Sequence, residues 1–144
     1  MDRKTLAPST DRPSPGQPTE TQADTARRTA QRLLEAAESQ HWAAFGELVH
    51  DDAVFEFVGR AILHGRDEII EFERSIHDGH MRYTIDWWTA DDTGRVWWRF
   101  TAEWVDPETA EPRRTSGAST AVVRDGAVES FSSWVDLSFM LPTT

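Results

Sequence analysis

The sequence predicts an α+β fold in which helices pack on one face of a curved sheet. Three observations predict it. Helix-spaced apolar residues dominate the first half, and long alternating strands take over from His80 onward. Two turn signals, Asp91-Asp92-Thr93-Gly94 and Asp125-Gly126, fold those strands into hairpins.

Residues 1–21 carry Pro8, Pro13, Pro15 and Pro18 and no aromatic side chain. Such a segment buries too little surface to offset its ordering entropy, which predicts a disordered tail before a domain spanning 22–141. "TARRTAQRLLEAAESQ" places Ala26, Ala30, Leu33, Leu34 and Ala37 on one face with arginines and glutamates elsewhere, an amphipathic helix. "HWAAFGELV" is a second, short helix with Trp42 and Phe45 on its apolar stripe. "DDAVFEFVG" alternates and is rich in branched and aromatic residues, so it reads as a strand. "RDEIIEFERSIHDG" makes a third helix with Ile69, Ile70, Phe72 and Ile76 inward, ending near Gly79.

The four long strands can be given a register. With Asp91–Gly94 as a type I turn, Ala90 faces Arg95, Trp87 faces Trp98, Ile85 faces Phe100 and Tyr83 faces Ala102. That set forms one apolar face, turned toward the helices. The opposite face pairs Trp88 with Trp97, Asp86 with Arg99 and Arg82 with Glu103. In the second hairpin Arg124 faces Ala127, Thr120 faces Phe131, Ala118 faces Ser133 and Ser116 faces Val135. Two outward indoles, Trp88 and Trp97, make an apolar patch, which predicts a homodimer through the outer sheet face.

Fifteen basic against 25 acidic residues give a net charge of −10, which disfavours nucleic acid and anionic membranes as partners. With no cysteine, disulfides, thiolate nucleophiles and cysteine-based zinc sites are excluded. No secretion signal or membrane span is legible, and a cytoplasmic location is the expectation.

The succession "ESQHWAAFGELVHDDAVFEF", "GRAILHGRDEIIEF" and "TSGASTAVVRDGAVESFSSWVDL" resembles the nuclear-transport-factor-2-like superfamily, nearest to its SnoaL-like polyketide cyclase and ketosteroid isomerase group. The resemblance implies a cone-shaped fold in which three N-terminal helices and a curved mixed or antiparallel sheet enclose a pocket. It implies a hydrophobic polyketide- or terpenoid-like substrate, acid/base chemistry without a cofactor (cyclisation, isomerisation or dehydration), and dimerisation through the outer face.

Carried over residue by residue, the family's motifs match unevenly. The tyrosine, aspartate and acid of ketosteroid isomerases fall on Leu33, Phe57 or its neighbour, and Thr120. The Arg-x-Asp of limonene-epoxide-hydrolase-like enzymes falls on Arg99-Phe100-Thr101, with Ser133 as the last-strand counterpart. The last-strand aspartate of SnoaL-like cyclases matches Asp136, while its partner histidine falls on Val122.

Asp136, Tyr83 and His64 are the candidate catalytic residues. A carboxylate at an apolar pocket is raised into the range useful for proton shuttling, although strict alternation from Phe131 turns Asp136 outward unless the strand bulges. Tyr83, the only tyrosine, offers a hydroxyl on the inner face, and His64 offers an imidazole at the pocket rim. Trp42, Trp87, Trp98, Phe100, Thr120, Phe131 and Ser133 are the candidate substrate contacts. His77-x-x-His80 lacks a third ligand in the sequence nearby, so no metal is expected. Two further readings stay open: a non-catalytic module that binds hydrophobic ligands or dimerises, and an epoxide hydrolase.

Overall fold

Thr21 caps the first helix through a reciprocal pair of bonds. Its hydroxyl accepts from the Asp24 amide (3.0 Å) and the Asp24 carboxylate accepts from the Thr21 amide (3.4 Å). In this computed structural model the described residues are 21–77 and 81–135. The expected tail, apart from Thr21, and Asp136 lie outside them. The elements are helices α1 (Gln22–Glu38) and α2 (Trp42–Glu47), strands β1 (Val49–Phe57) and β2 (Ala61–His64), helix α3 (Arg66–Ile76), and strands β3 (Arg82–Ala90), β4 (Arg95–Val105), β5 (Pro112–Arg124) and β6 (Ala127–Trp134). No described helix is long and apolar enough to cross a membrane.

The six strands run β2-β1-β6-β5-β4-β3, antiparallel except where β1 lies parallel to β6. Helix α1 buries Ala26, Ala30, Leu33, Ala36 and Ala37 against the inner face of the sheet. Four alanines on that stripe let the helix lie close to the strands, where larger side chains would hold it off. The inner face is built by Phe55 and Phe57 from β1, Val96, Trp98, Phe100 and Ala102 from β4, Ser119, Ala121 and Val123 from β5, and Phe131 and Ser133 from β6, all buried. Trp98, 1% exposed, packs between Trp88 and Phe131 in tilted contacts at centroid distances of 5.3 and 5.9 Å. Truncating a tryptophan so enclosed costs about 3–5 kcal/mol, which makes it a central support of the fold.

Both hairpin registers depart from simple alternation. In the first, Arg82 through Ile85 pair as expected, with Arg82 opposite Glu103 and Ile85 opposite Phe100. Asp86 is then an extra residue, and Trp87 pairs with Arg99, Trp88 with Trp98 and Ala90 with Val96. The cause lies at the turn. Asp91 Oδ1 accepts from the Thr93 amide (2.9 Å) and the Arg95 amide (3.2 Å), and Gly94 takes a φ of 93°. That makes Asp91 and Arg95 the closing pair, one residue tighter than a four-residue loop. The Thr93 hydroxyl first, then the Thr93 amide, hold the Asp91 carboxyl below the usual carboxylate range.

This bulge corrects two expectations. Trp87 faces outward, 49% exposed, and Trp88 turns in against Trp98. The expected outer pair Trp88 and Trp97 is therefore Trp87 and Trp97 instead.

The second hairpin bulges at Glu129. Arg124–Ala127 and Val123–Val128 pair as the turn dictates, but Ala121 then faces Phe131 and Ser119 faces Ser133. Glu129 escapes to the surface, where Arg124 binds it at 2.9 Å. Thr120, expected on the inner face, pairs with Trp97 and Ser132 on the outer one. Its hydroxyl donates to the Val96 carbonyl (2.9 Å) and accepts from Arg95 (3.1 Å). Ser116 and Ala118 alternate with Thr120 and share that outer face.

Candidate active site

Between α1, α3 and the inner face of β3–β6 lies a cavity of about 40 Å³. Helix α1 supplies Leu33, Leu34 and Ala37 to its wall, and α3 supplies Glu73 and Ile76, with His77 just beyond. The sheet supplies Tyr83, Trp98, Phe100, Ser119, Phe131 and Ser133. Leu34, Tyr83 and Val135 are only partly buried and mark its opening. By volume the space suits about three waters, since each needs about 10–15 Å³. A larger ligand must displace side chains, and Met81, unbranched and on the wall, is the one best able to yield.

The polar groups of this wall are few and they converge. Glu73 sits on the apolar stripe of α3, in step with Ile69 and Ile76, and is 6% exposed. One helical turn later His77, 4% exposed, brings Nε2 to 3.2 Å from Glu73 Oε1. The Tyr83 hydroxyl stands 3.3 Å from the same Nε2. Glu73 is acceptor-only when ionised, so hydrogen counting assigns the proton to Nε2, shared between the carboxylate and the tyrosine oxygen. His77 Nδ1 is then a bare lone pair. It is buried and has no partner among the described residues.

Several elements fix this imidazole. The His77 amide donates to the Glu73 carbonyl (3.0 Å), and its own carbonyl accepts from Gln40 Nε2 (2.7 Å). Gln40 reaches it from the left-handed turn (φ 60°) that follows α1. Trp42 stands edge-on to the ring at 6.2 Å and Tyr83 lies 5.7 Å away on another side. Glu38, at the end of α1, accepts the Tyr83 amide at 2.7 Å and so ties β3 to the helix layer.

Two more polar features line the floor. The Ser119 hydroxyl donates to the Ser133 hydroxyl at 3.0 Å. Trp98 Nε1–H is buried without an acceptor among the described residues. Beyond the bulge Trp98 is paired with Ser119, and Ser119 with Ser133, so the three stand side by side across β4, β5 and β6.

The expected site residues divide. Tyr83, Trp98, Phe100, Phe131 and Ser133 stand on the cavity wall. Trp42 backs His77 and does not line the cavity. Trp87 and Thr120 are on the far face of the sheet, carried there by the two bulges. His64 ends β2 exposed, its amide bonded to Glu68 at 2.8 Å, and takes no part in the cavity. Among the described residues no three His, Asp or Glu side chains are grouped as metal ligands. Sequence reasoning missed Glu73, Met81 and Ser119 and weighed His77 only as a metal ligand. The available signal was Glu73 itself, a carboxylate on an apolar helical stripe four residues before a histidine.

The Tyr83 phenol is raised well above its ordinary range, first by burial and then by the Glu73 and Glu38 carboxylates. It stays neutral across the physiological range. Its ionisation is disfavoured in the native state while an unfolded tyrosine ionises near 10, so stability should fall as pH rises above about 10. As the only tyrosine, it can be followed alone by phenolate absorbance. The expected midpoint lies above 10 and drops to about 10 in denaturant, and Tyr83→Phe should lose this alkaline sensitivity. A native midpoint near 10 would show the phenol to be solvated.

Comparison with known proteins places this geometry. The family model of the SnoaL-like domain matches residues 30–131. No curated protein sequence matches the chain. Among solved structures, a candidate SnoaL-like polyketide cyclase from Jannaschia sp. CCS1 superposes with a TM-score of 0.72 at 14% identity, covering 89% of this chain and 100% of the other. A candidate ketosteroid isomerase from Kribbella flavida DSM 17836 gives 0.70 at 17% identity, covering 88% of each chain. A limonene-epoxide-hydrolase-like (LEH-like) epoxide hydrolase from M. tuberculosis gives 0.69 at 19% identity, with 82% and 87% covered. At these identities the likeness speaks for the fold, which is the nuclear-transport-factor-2-like one expected.

Proposed function

The chain belongs to the SnoaL-like domain family, and we propose that within it this protein is an acid/base enzyme acting on a small hydrophobic molecule, with His77 as general base. The observation that carries the reading is the buried His77 Nδ1 with no partner among the described residues, on a residue that lines an apolar cavity, while its other nitrogen is held by Glu73. An imidazole so arranged can take a proton at Nδ1. The Glu73 carboxylate stabilises the imidazolium that results, and the neutral Tyr83 hydroxyl keeps its own hydrogen free to donate. The chemistry this supports is proton transfer at carbon, as in isomerisation, cyclisation or dehydration, on an uncharged substrate of polyketide or terpenoid type.

A non-catalytic dimerisation module is the second reading, and the observation favouring it is the cavity's small volume. Ligand-binding pockets usually run to about 300–1,000 Å³. Epoxide opening has less support, because Arg99 projects from the outer face, 59% exposed, with Asp86 at 3.9 Å.

Hydrogen–deuterium exchange at the α-carbon of small cyclic ketones, followed by NMR in D₂O, separates the first two readings. The wild-type protein should accelerate exchange, and His77→Gln should lose about 10²–10⁴-fold of that rate, with Glu73→Gln showing a smaller loss. Equal rates in wild type and His77→Gln would remove the histidine from the chemistry.

The same reading includes a homodimer through the outer sheet face. Trp87, Trp97 and Trp134 are 49, 42 and 46% exposed, and Ala118 and Ser116 leave the surface between them low. Register aligns Trp87, Arg99, Ala118 and Trp134 in one row across four strands. An acidic side chain in place of one of these exposed indoles should abolish association. Sedimentation at micromolar concentration should show a dimer for the wild-type protein and a monomer for Trp97→Glu; a monomeric wild type would refute it.

A further inference from the structure

The floor of the cavity holds a donor that the acid/base reading leaves unused. Trp98 Nε1–H is fully buried and has no acceptor among the described residues. Buried N–H groups are nearly always paired, and leaving one unpaired is costly, so an acceptor is missing at this spot. Beside it, Ser119 donates its hydroxyl hydrogen to Ser133, which leaves the Ser133 hydrogen uncommitted. Trp98 and Ser133 both line the cavity, so its floor carries two hydrogens without an acceptor among the described residues. The α3 side carries the opposite, the His77 Nδ1 that hydrogen counting leaves without a proton.

Charge narrows what could fill the floor. The described lining contains no lysine or arginine, and its one ionisable acid is Glu73. An anionic oxygen would meet a carboxylate across an apolar space with no counter-charge, which is unfavourable at low dielectric. An uncharged oxygen meets only donors.

We propose that Trp98 Nε1–H and the Ser133 hydroxyl form an oxygen-acceptor subsite on the sheet floor, which selects ligands bearing a neutral carbonyl or ether oxygen and rejects carboxylates. The proposal rests on the cavity being the functional site, as argued above. It makes the two residues substrate-positioning groups: the oxygen docks on the sheet and its neighbouring carbon lies toward His77. Phe100, Phe131 and Leu33 supply the apolar remainder.

Three probes of one skeleton test it: cyclohexanone, methylenecyclohexane and cyclohexanecarboxylate. Each is titrated into protein carrying ¹⁵N-tryptophan, in which the seven indole N–H signals are resolved and Trp98→Phe identifies the one of interest. Cyclohexanone should shift the Trp98 signal downfield and bind about tenfold more tightly than either analogue. Ser133→Ala, which removes only the hydroxyl, should lower the ketone-to-hydrocarbon preference severalfold.

The proposal is overturned if the Trp98 signal stays in place up to the solubility of the ketone. It is also overturned if methylenecyclohexane binds as well, which would make the subsite a pocket for water, or if the carboxylate binds best. An unchanged preference in Ser133→Ala would contradict the shared subsite. Repeating the titration in His77→Gln keeps the two readings apart. A ketone shift that survives there without any deuterium exchange in the wild type supports the subsite and refutes the base. Exchange without a shift does the reverse.

Discussion

A carboxylate and an imidazole closed together inside an aromatic wall govern the rest of this structure. Burying Glu73 away from water is expensive unless its charge is met, and His77 Nε2 at 3.2 Å meets it. Removing the imidazole would leave a buried carboxylate without its donor, so the pair can be kept only where its geometry is tightly held. Here that geometry is over-determined. Gln40 holds the His77 carbonyl, Trp42 and Tyr83 flank its ring, and Glu38 anchors the strand that carries Tyr83. Pieces of α1, α2, α3 and β3 are thus all committed to the position of one imidazole, and its unpaired nitrogen is the consequence that matters for function.

The inner sheet face is equally dependent on two extra residues. Without the bulge at Asp86, Trp87 would have faced the helices and Trp88 the solvent. With it, Trp88 packs on Trp98, and Trp98 on Phe131. The bulge at Glu129 turns Ser119 and Ser133 toward the cavity and sends Thr120 to the far side. Gly117 belongs to the same adjustment: a Cβ there would lie 2.6 Å from the Phe100 ring and 2.8 Å from the Trp134 carbonyl, so only glycine lets Phe100 lie flat on β5. Both charged bulge residues point where water can reach them, which is why an acid suits each.

These details show what the sequence could and could not yield. Helices announce themselves by spacing, and α1 and α3 emerged where Leu33 and Ile69 place them. Strands announce themselves by alternation, and Phe55, Phe57, Phe100 and Phe131 were readable as buried. Alternation cannot reveal a bulge, however, because one inserted residue leaves the pattern on each side intact. Trp87 and Thr120 were misplaced for that reason alone. At the Asp91 turn the side-chain bonds that tighten the loop depend on three-dimensional geometry, and a type I turn with a longer loop reads the same residues equally well. The Glu73–His77 pair was visible only as an anomaly, a charge on an apolar stripe, and its meaning depends on Tyr83, which arrives from a strand on the other side of the cavity. Asp136, the residue the family resemblance favours, lies outside the described residues.

The account turns on which imidazole nitrogen of His77 carries the proton. Long-range ¹H–¹⁵N correlation of the histidine side chains at neutral pH reads this directly. The arrangement predicts that His77 is protonated at Nε2 and bare at Nδ1, and that Glu73→Gln disturbs this preference. A ring protonated at Nδ1, with Nε2 accepting from Tyr83, would leave no free base facing the cavity and would contradict the central claim.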